Sequence, residues 1–457
     1  MEDIESALSF IRDWVWGMPL LILLLGTGAY LTLLLNGVQF RFLGYAFKQI
    51  YAEQKKSAKG DINPYEALMT TLAGAIGTGS IVGISTALVL GGLGALFWMW
   101  VTALLGMATK YAESLLAIKY RNLDSRGEMI GGPMEYIEKG LKKKWLAGLF
   151  AIFGTIAALG TGNLVQVNSI AAGVNEVWRV NPWVTGLILS LITGFVVIGG
   201  IKALGHVAGV LVPLMASLYI GAGLFIIGRH LTEIPSVFGQ IISEAFGYSA
   251  IGGGIIGSAF LIALQVGVSR SVFSNEAGLG ISSIAAAAAR TDLPGRQAMI
   301  NMTGALISTV IVCTITGLVI AVTGALNVVD ASGNHLNGAK MAIYAFQSSI
   351  PGGEYIVALG LILFAFTTVI AWGYYGEKCF EYLFGERFVM AYRVIYCLLV
   401  IPGAALKLEI AWLMADITNG LMAIPNLIAL VGLSSIIVNE TRDFLTIVSK
   451  EKVANEI

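Results

Sequence analysis

Apolar runs of about twenty residues recur from Met18 to Val438, and no other feature limits the possible folds so strongly. Hydrocarbon offers backbone N–H and C=O groups no partner, so each run has to satisfy its own backbone as a helix. Eleven runs qualify: 18–36, 65–90, 93–118, 146–174, 183–199, 205–228, 250–285, 298–323, 355–376, 389–405 and 409–438. Only 12% of residues are charged and 56% are hydrophobic, whereas a soluble domain carries about 25% charged residues. The chain therefore reads as an all-α polytopic membrane protein. Its first fifteen residues are acidic (Glu2, Asp3, Glu5, Asp13), unlike the basic start of a secretory signal peptide. The same stretch spaces Ile4, Leu8, Ile11 and Trp14 or Val15 as an amphipathic helix lying along the outer membrane surface. Cys313, Cys379 and Cys397 lie in or beside apolar runs and suit small core residues better than a disulfide framework or a metal site. A formal net charge of zero gives no basis for binding nucleic acid.

Lysine and arginine orient the chain. The polar connections 37–64 and 119–144, together with Lys202, Arg290, Arg296, Lys378, Arg387, Arg442, Lys450 and Lys452, put twenty basic residues on one side. Arg12, Arg179, Arg229, Lys340 and Lys407 are the five on the other. Basic loops stay in the cytoplasm. The expectation is a multi-pass protein of the cell membrane with its N-terminus outside and its C-terminus cytoplasmic.

On that orientation the spans in 64–228 begin inside and those in 229–438 begin outside, giving two sets of five with inverted topology. Residues 1–63 add one extra helix and a cytoplasmic connection, and 439–457 form a cytoplasmic tail. Each set opens with a helix that cannot stay regular. LAGAIGTGSIVG, Leu72 to Gly83, carries Gly74, Gly77, Gly79 and Gly83, and each glycine costs a helix interior about 1 kcal/mol. LQVGVSRSVFSNEAGLG, Leu264 to Gly280, sets Ser269, Arg270, Ser271, Ser274, Asn275 and Glu276 in mid-span. Interruptions in corresponding places point to a midplane binding site. Unwound backbone frees N–H groups for a carboxylate and carbonyls for a small cation. Close helix packing is the competing use of the glycines.

GGLGALFWMWVTALLG, Gly91 to Gly106, resembles the signature of the alanine or glycine:cation symporter family. SNEAG (Ser274–Gly278) and GGPMEYIEKG (Gly131–Gly140) resemble further motifs of that family, and with the topology the resemblance covers nearly the whole chain. It implies a LeuT-type fold of ten core helices, two of them broken, working by alternating access. It implies import of alanine or glycine coupled to sodium, with protons as the alternative coupling ion. Sodium is then the co-transported ion, a small neutral amino acid the cargo and the lipid bilayer the surroundings; no obligate protein partner is indicated.

Roles follow from that resemblance. Backbone around Thr78, Gly79 and Ser80 is assigned to the substrate carboxylate. Carbonyls of an unwound Ser271–Ser274 stretch are assigned to its ammonium, with Phe273 as an apolar wall. Asn163 and Gln166 share a helix face at a spacing of three and are candidates for hydrogen bonds to substrate. Thr367 and Thr368, with carbonyls from Ala73 to Ile76, form the expected sodium shell, and Trp372 closes the pocket's side. Arg270 and Glu276 flank the second interruption and take gating or structural duty, paired with each other or with another buried group such as Asp416. Glu276 is also the one candidate proton site. Lys110 and Glu113 lie toward the cytoplasmic end of their span, at a place from which side chains snorkel. The chain holds no H-E-x-x-H, G-x-S-x-G or P-loop motif, which argues against an enzyme or an ATP-driven pump. It also lacks a TVGYG-type filter, which argues against a channel.

Overall fold

A capping box starts the helix that opens the first set of five. The Asn63 side chain accepts the Glu66 N–H at 2.8 Å, the Glu66 carboxylate accepts the Asn63 N–H at 3.1 Å, and Pro64 fills the first turn. The helix runs Pro64–Ala75, gives way at Ile76 and Gly77, makes one tight turn at Thr78–Ser80 and resumes as Val82–Gly91. The computed structural model describes residues 2–52, 58–247, 256–330, 333–406 and 408–455. Lys55, Lys56, Lys407 and the beginning of the 250–285 run lie outside the described residues.

The second broken helix corrects the sequence expectation. Ile256–Asn275 is one helix, so Ser271–Ser274 are wound rather than open. Its polar side chains are satisfied by neighbouring helices: Ser271 Oγ donates to Met99 O at 3.1 Å and Asn275 Nδ2 donates to Thr309 Oγ1 at 3.2 Å. The break begins instead at Glu276, where φ is 60°, and continues through Gly278 at 90° and Gly280 at 74°. Those left-handed values suit glycine and stop a helix outright. A short helix, Ser283–Ala287, follows.

Among the described residues, six helices are long and apolar enough to cross a membrane unaided: Gly94–Lys119, Lys144–Trp178, Gly200–Arg229, Pro294–Val322, Gly353–Phe384 and Trp412–Gly432. A seventh appears if Glu5–Val15 and Met18–Leu34, bent by 41°, count as one. Four expected spans do not pass this test: 65–90 is split at Ile76 and Gly77, Pro182–Ile198 and Val389–Gly403 are short, and 250–285 begins outside the described residues. Gly94–Lys119 is the most enclosed, packed on the second broken helix and on Pro294–Ala305. Gly200–Arg229 is the least enclosed and turns Leu214 and Phe225 outward. Gly353–Phe384 packs against both Pro64–Ala75 and Val165–Trp178.

The polar connections are also folded. Helices Val38–Arg41 and Leu43–Ile50 occupy the first, and an antiparallel hairpin with strands β1 (Asn122–Leu123) and β2 (Met129–Ile130), then helix Pro133–Lys139, the second. The expected tail from 439 belongs to helix Ser434–Asn455. It docks through Tyr111 Oη to Thr441 Oγ1 at 3.0 Å and Arg296 to Glu451 at 3.0 Å.

Candidate functional site

The first break is fully enclosed. Thr78 and Ser80 are 0% exposed, and the Thr78 hydroxyl is buried without a hydrogen-bond partner. A buried polar atom left unpaired is costly, and this hydroxyl is free to donate a hydrogen bond to a ligand or accept one from it. Three neighbours converge on the gap. From Lys144–Trp178, the Gln166 amide oxygen accepts the Thr78 N–H at 3.0 Å. From Gly353–Phe384, Thr368 Oγ1 donates to the Ala73 carbonyl at 2.8 Å. From the second broken helix, the Phe273 ring lies 2.7 Å from where a Cβ on Gly79 would stand. Gly77 is wedged between Thr368 and Gln166, so a side chain there has no room.

The adjacent threonines do not share a direction. Thr367 Oγ1 donates to its own helix at Phe364 O, 3.0 Å away, and points toward Met215 Sδ at 3.7 Å. Thr368 Oγ1 also lies 3.0 Å from Phe364 O, but of the two expected sodium hydroxyls it is the one that reaches the first break, beside the Ala73 carbonyl and the Ile76 end of the half-helix. The expectation for Asn163 is corrected. Its side chain donates to Tyr396 O at 2.8 Å, on helix Val389–Gly403, away from the break. The cause is a wide π-turn at Ala158–Leu164, which rotates Asn163 off the face of Gln166 and lets Gln166 Nε2 donate to Thr161 O at 3.0 Å. Trp372 sits lower, against Gly162, with Nε1 3.4 Å from Gly74 O. Ser274 joins a hydroxyl cluster with Cys313 Sγ at 3.0 Å and Thr309 Oγ1 at 3.1 Å.

The second break is held from within by two residues expected to snorkel. Lys110 and Glu113 are 0% and 1% exposed. Lys110 Nζ donates to Asn275 O at 2.7 Å, placing a cation on the negative end of the half-helix. Glu113 Oε1 accepts from Gly278 N at 2.9 Å, Gly280 N at 3.1 Å and Asn426 Nδ2 at 2.7 Å. Ionisable residues inside a span carry that signal in sequence; their spacing of three, on one helix face, was the missed clue. Glu276 is buried beside Lys110, Trp372 and Ser282 and does not pair with Arg270. Arg270 pairs with Asp416 instead, at 2.5 Å.

That pair forms the roof. The Arg270 guanidinium lies 4.8 Å above the ring of Trp412, which stacks on Phe273 at 4.7 Å between centroids. Trp412 escaped notice in the sequence because an apolar run gives no reason to single out one aromatic. Above the roof lies a cavity of about 550 Å³, lined by Glu5, Arg12, Thr86, Asn337, Arg270 and Asp416 among others.

Two half-helices that break in corresponding places around a buried polar gap define a secondary transporter. Solved structures agree on the fold. The chain superposes on MhsT in complex with L-phenylalanine with a TM-score of 0.57, 14% identity and coverage of 85% of this chain and 99% of that one. A Na+-coupled sialic acid symporter gives 0.51 at 14% identity, over 92% and 84%. This is the LeuT-type fold. The sequence pattern of the sodium:alanine symporter family matches residues 1–456, and the chain belongs to that family. It is 49% identical to the sodium/alanine symporter AgcS of Methanococcus maripaludis over 97% of both chains. It is 35% identical to the probable sodium/glutamine symporter GlnT of Bacillus subtilis over 96% of this chain and 91% of the other. The protein is thus a multi-pass membrane symporter coupled to sodium, and not an enzyme.

Proposed function

We propose that the first break binds alanine or glycine beside a sodium ion and delivers both to the cytoplasm by alternating access. The observation that carries this reading is Gln166 Oε1 on the Thr78 N–H at 3.0 Å. A protein acceptor occupies the donor that a substrate carboxylate needs. A carboxylate oxygen arriving there replaces a neutral hydrogen bond with a charge-assisted one, which is shorter and about twice as strong. The Thr78 hydroxyl, Gly79 and Ser80 complete that end. The last turn of Ile256–Asn275 leaves carbonyls without helical partners, and the Phe273 carbonyl stands 3.7 Å from the Cβ position of Gly79, in reach of the ammonium. Sodium takes the Thr368 hydroxyl and carbonyls of Ala73 and Ile76, a set of hard oxygens suited to a hard cation.

The Phe273 ring packs directly on the Gly79 backbone, which supports a site for a small amino acid. The greater identity to the relative named a sodium/alanine symporter than to the probable sodium/glutamine symporter supports the same choice. The bias of twenty basic residues against five supports a cytoplasmic C-terminus and an outer N-terminus. In this reading residues 64–228 and 229–438 are the two inverted halves, and Arg270 with Asp416 closes the outer path.

Labelled alanine uptake into proteoliposomes tests the reading. An inward sodium gradient is expected to drive accumulation that glycine competes away. Accumulation with a proton gradient alone would move coupling to Glu276. No accumulation under either gradient, in folded protein, would refute the assignment.

A further inference from the structure

The mechanism above needs the two broken helices to part on their cytoplasmic side, and their inner ends are stitched together. The lead-in to the first, residues 58–63, lies against the exit of the second, residues 287–291. The backbone bonds are Asp61 N–H to Ala288 O at 2.8 Å, Arg290 N–H to Ile62 O at 2.7 Å and Thr291 N–H to Lys59 O at 3.1 Å. Gly60, at φ 153°, lets the two backbones touch at Ala289. One side chain spans the seam. Arg121 Nη1 donates to Ala287 O and Ala289 O at 2.7 Å each, and Nη2 donates to Lys59 O at 2.8 Å. Arg121 stands immediately before β1, and at β2's first residue the hairpin closes on the same lead-in: Met129 N–H donates to Asp61 Oδ2 at 2.8 Å.

We propose that Arg121 is the inner latch of the transport cycle, a positioning residue that holds the cytoplasmic path shut until the lead-in 58–63 separates from the exit 287–291. The chemistry favours a releasable contact. All three hydrogen-bond acceptors are backbone carbonyls, and the nearby charge is the Asp61 carboxylate of the same lead-in, which is itself engaged by the Met129 N–H. A charged donor on neutral carbonyls gives direction and strength without the larger cost of separating a buried ion pair. The seam is two short strand-like segments, which part without melting either helix. Lys378 sits behind the hairpin, within 3.7 Å of Asp124 Oδ2 and 3.1 Å of Glu381 Oε2, and fixes the hairpin to the helix that carries Thr368. The latch and the sodium helix therefore share one support.

The inference rests on alternating access at the first break, and two experiments separate it from that reading. In the first, Lys59→Cys and Thr291→Cys are introduced into a full-length chain whose Cys313, Cys379 and Cys397 are alanine. These two positions face each other as an antiparallel bridge pair, a spacing that a disulfide spans. Sodium-driven alanine uptake in proteoliposomes is expected to fall by about tenfold or more on oxidation, because the covalent cross-link prevents the two segments from parting, and to return on reduction. Uptake at the reduced rate by fully cross-linked protein would overturn the latch. Uptake by the reduced protein reports separately on the proposed function.

The second experiment needs no transport. Ser282→Cys, in the same cysteine-free background, places a thiol at a buried position between the second break and the seam. Arg121→Gln is expected to raise its reaction with a membrane-impermeant maleimide by about tenfold from the cytoplasmic side, with no change from the outer side. Arg121→Lys, which keeps the charge and one donor direction, is expected to fall between the two. No rise, or an equal rise from both sides, would show a merely structural arginine and refute the proposal.

Discussion

Adjacent residues on a helix point about 100° apart, and that angle decides between Thr367 and Thr368. Both hydroxyls lie 3.0 Å from Phe364 O, but only Thr368 reaches the first break, through Ala73 O at 2.8 Å, while Thr367 turns toward Met215. Thr368→Ala is expected to raise the half-saturating sodium concentration about tenfold, since a hydrogen-bond or ligand contact to a charge contributes about 1.5 kcal/mol or more. Thr367→Ala stays within about threefold, and Thr368→Ser restores most of the loss by returning the hydroxyl. Sodium titration of alanine uptake in inserted protein checks all three. An equal effect of the two alanine substitutions would remove Thr368 from the ion site. The sequence made the doublet legible and left its direction open, because two neighbouring hydroxyls in an apolar run look alike until the partner helix is placed.

At the scale of elements, the two breaks were unequally legible. Four glycines in twelve residues weaken a helix wherever it packs, so the first break was found where it stands. In the second, Ser269, Arg270, Ser271, Ser274, Asn275 and Glu276 drew attention to 269–276, and only the last of them stands at the break: neighbouring helices engage Arg270, Ser271, Ser274 and Asn275, and the helix continues to Asn275. What stops it is the left-handed backbone at Glu276, Gly278 and Gly280, and what holds it is Glu113. Glu113→Ala leaves the Gly278 and Gly280 N–H groups buried without an acceptor, at about 1–3 kcal/mol each. It is expected to lower thermal stability well beyond Glu113→Gln, which keeps one carbonyl oxygen at the same place. Equal melting of the two variants would mean that Glu113 does not support the break. The β-hairpin offers a second test. Burial alone would raise the Asp124 carboxyl, but the Glu128 N–H, Arg126 and Lys378 outweigh it and hold it below its ordinary value of 3.8. A depressed carboxyl contributes stability above its unfolded value and loses it as pH falls through the folded one. Amide exchange at Glu128, corrected for its intrinsic rate, is expected to stay flat from about pH 7 to 5 and to rise below about pH 4. A rise already near neutral pH would assign the hairpin's stability to another group.

At the scale of the whole molecule, the gap between the breaks is closed above by side chains and below by backbone. The roof is an ion pair, Arg270 to Asp416, set over stacked Phe273 and Trp412. The amphipathic start of the chain joins it: after Glu2–Val15, Trp16 Nε1 donates to Asp416 O at 2.8 Å, and Gln265 Nε2 donates to Trp16 O at 3.1 Å. The extra N-terminal element thus packs on the helices that carry Asp416 and Arg270, a placement that hydropathy could not assign because Trp16 is one more aromatic beside an apolar run. The floor is the Arg121 seam. A carrier must never open both, so weakening the roof should change transport without changing the site. Asp416→Asn leaves Arg270 buried with a neutral partner, and breaking a buried pair costs about 3–5 kcal/mol. Much of that falls on the closed-roof state, because Arg270 regains water when the roof lifts into the 550 Å³ cavity above it. Uptake is expected to fall by at least about tenfold, while sodium-dependent alanine binding measured from the outer side remains. Asp416→Glu, which keeps the charge, should retain part of the uptake. Wild-type uptake by Asp416→Asn would mean that the Phe273–Trp412 stack alone closes the outer path and that the ion pair is structural.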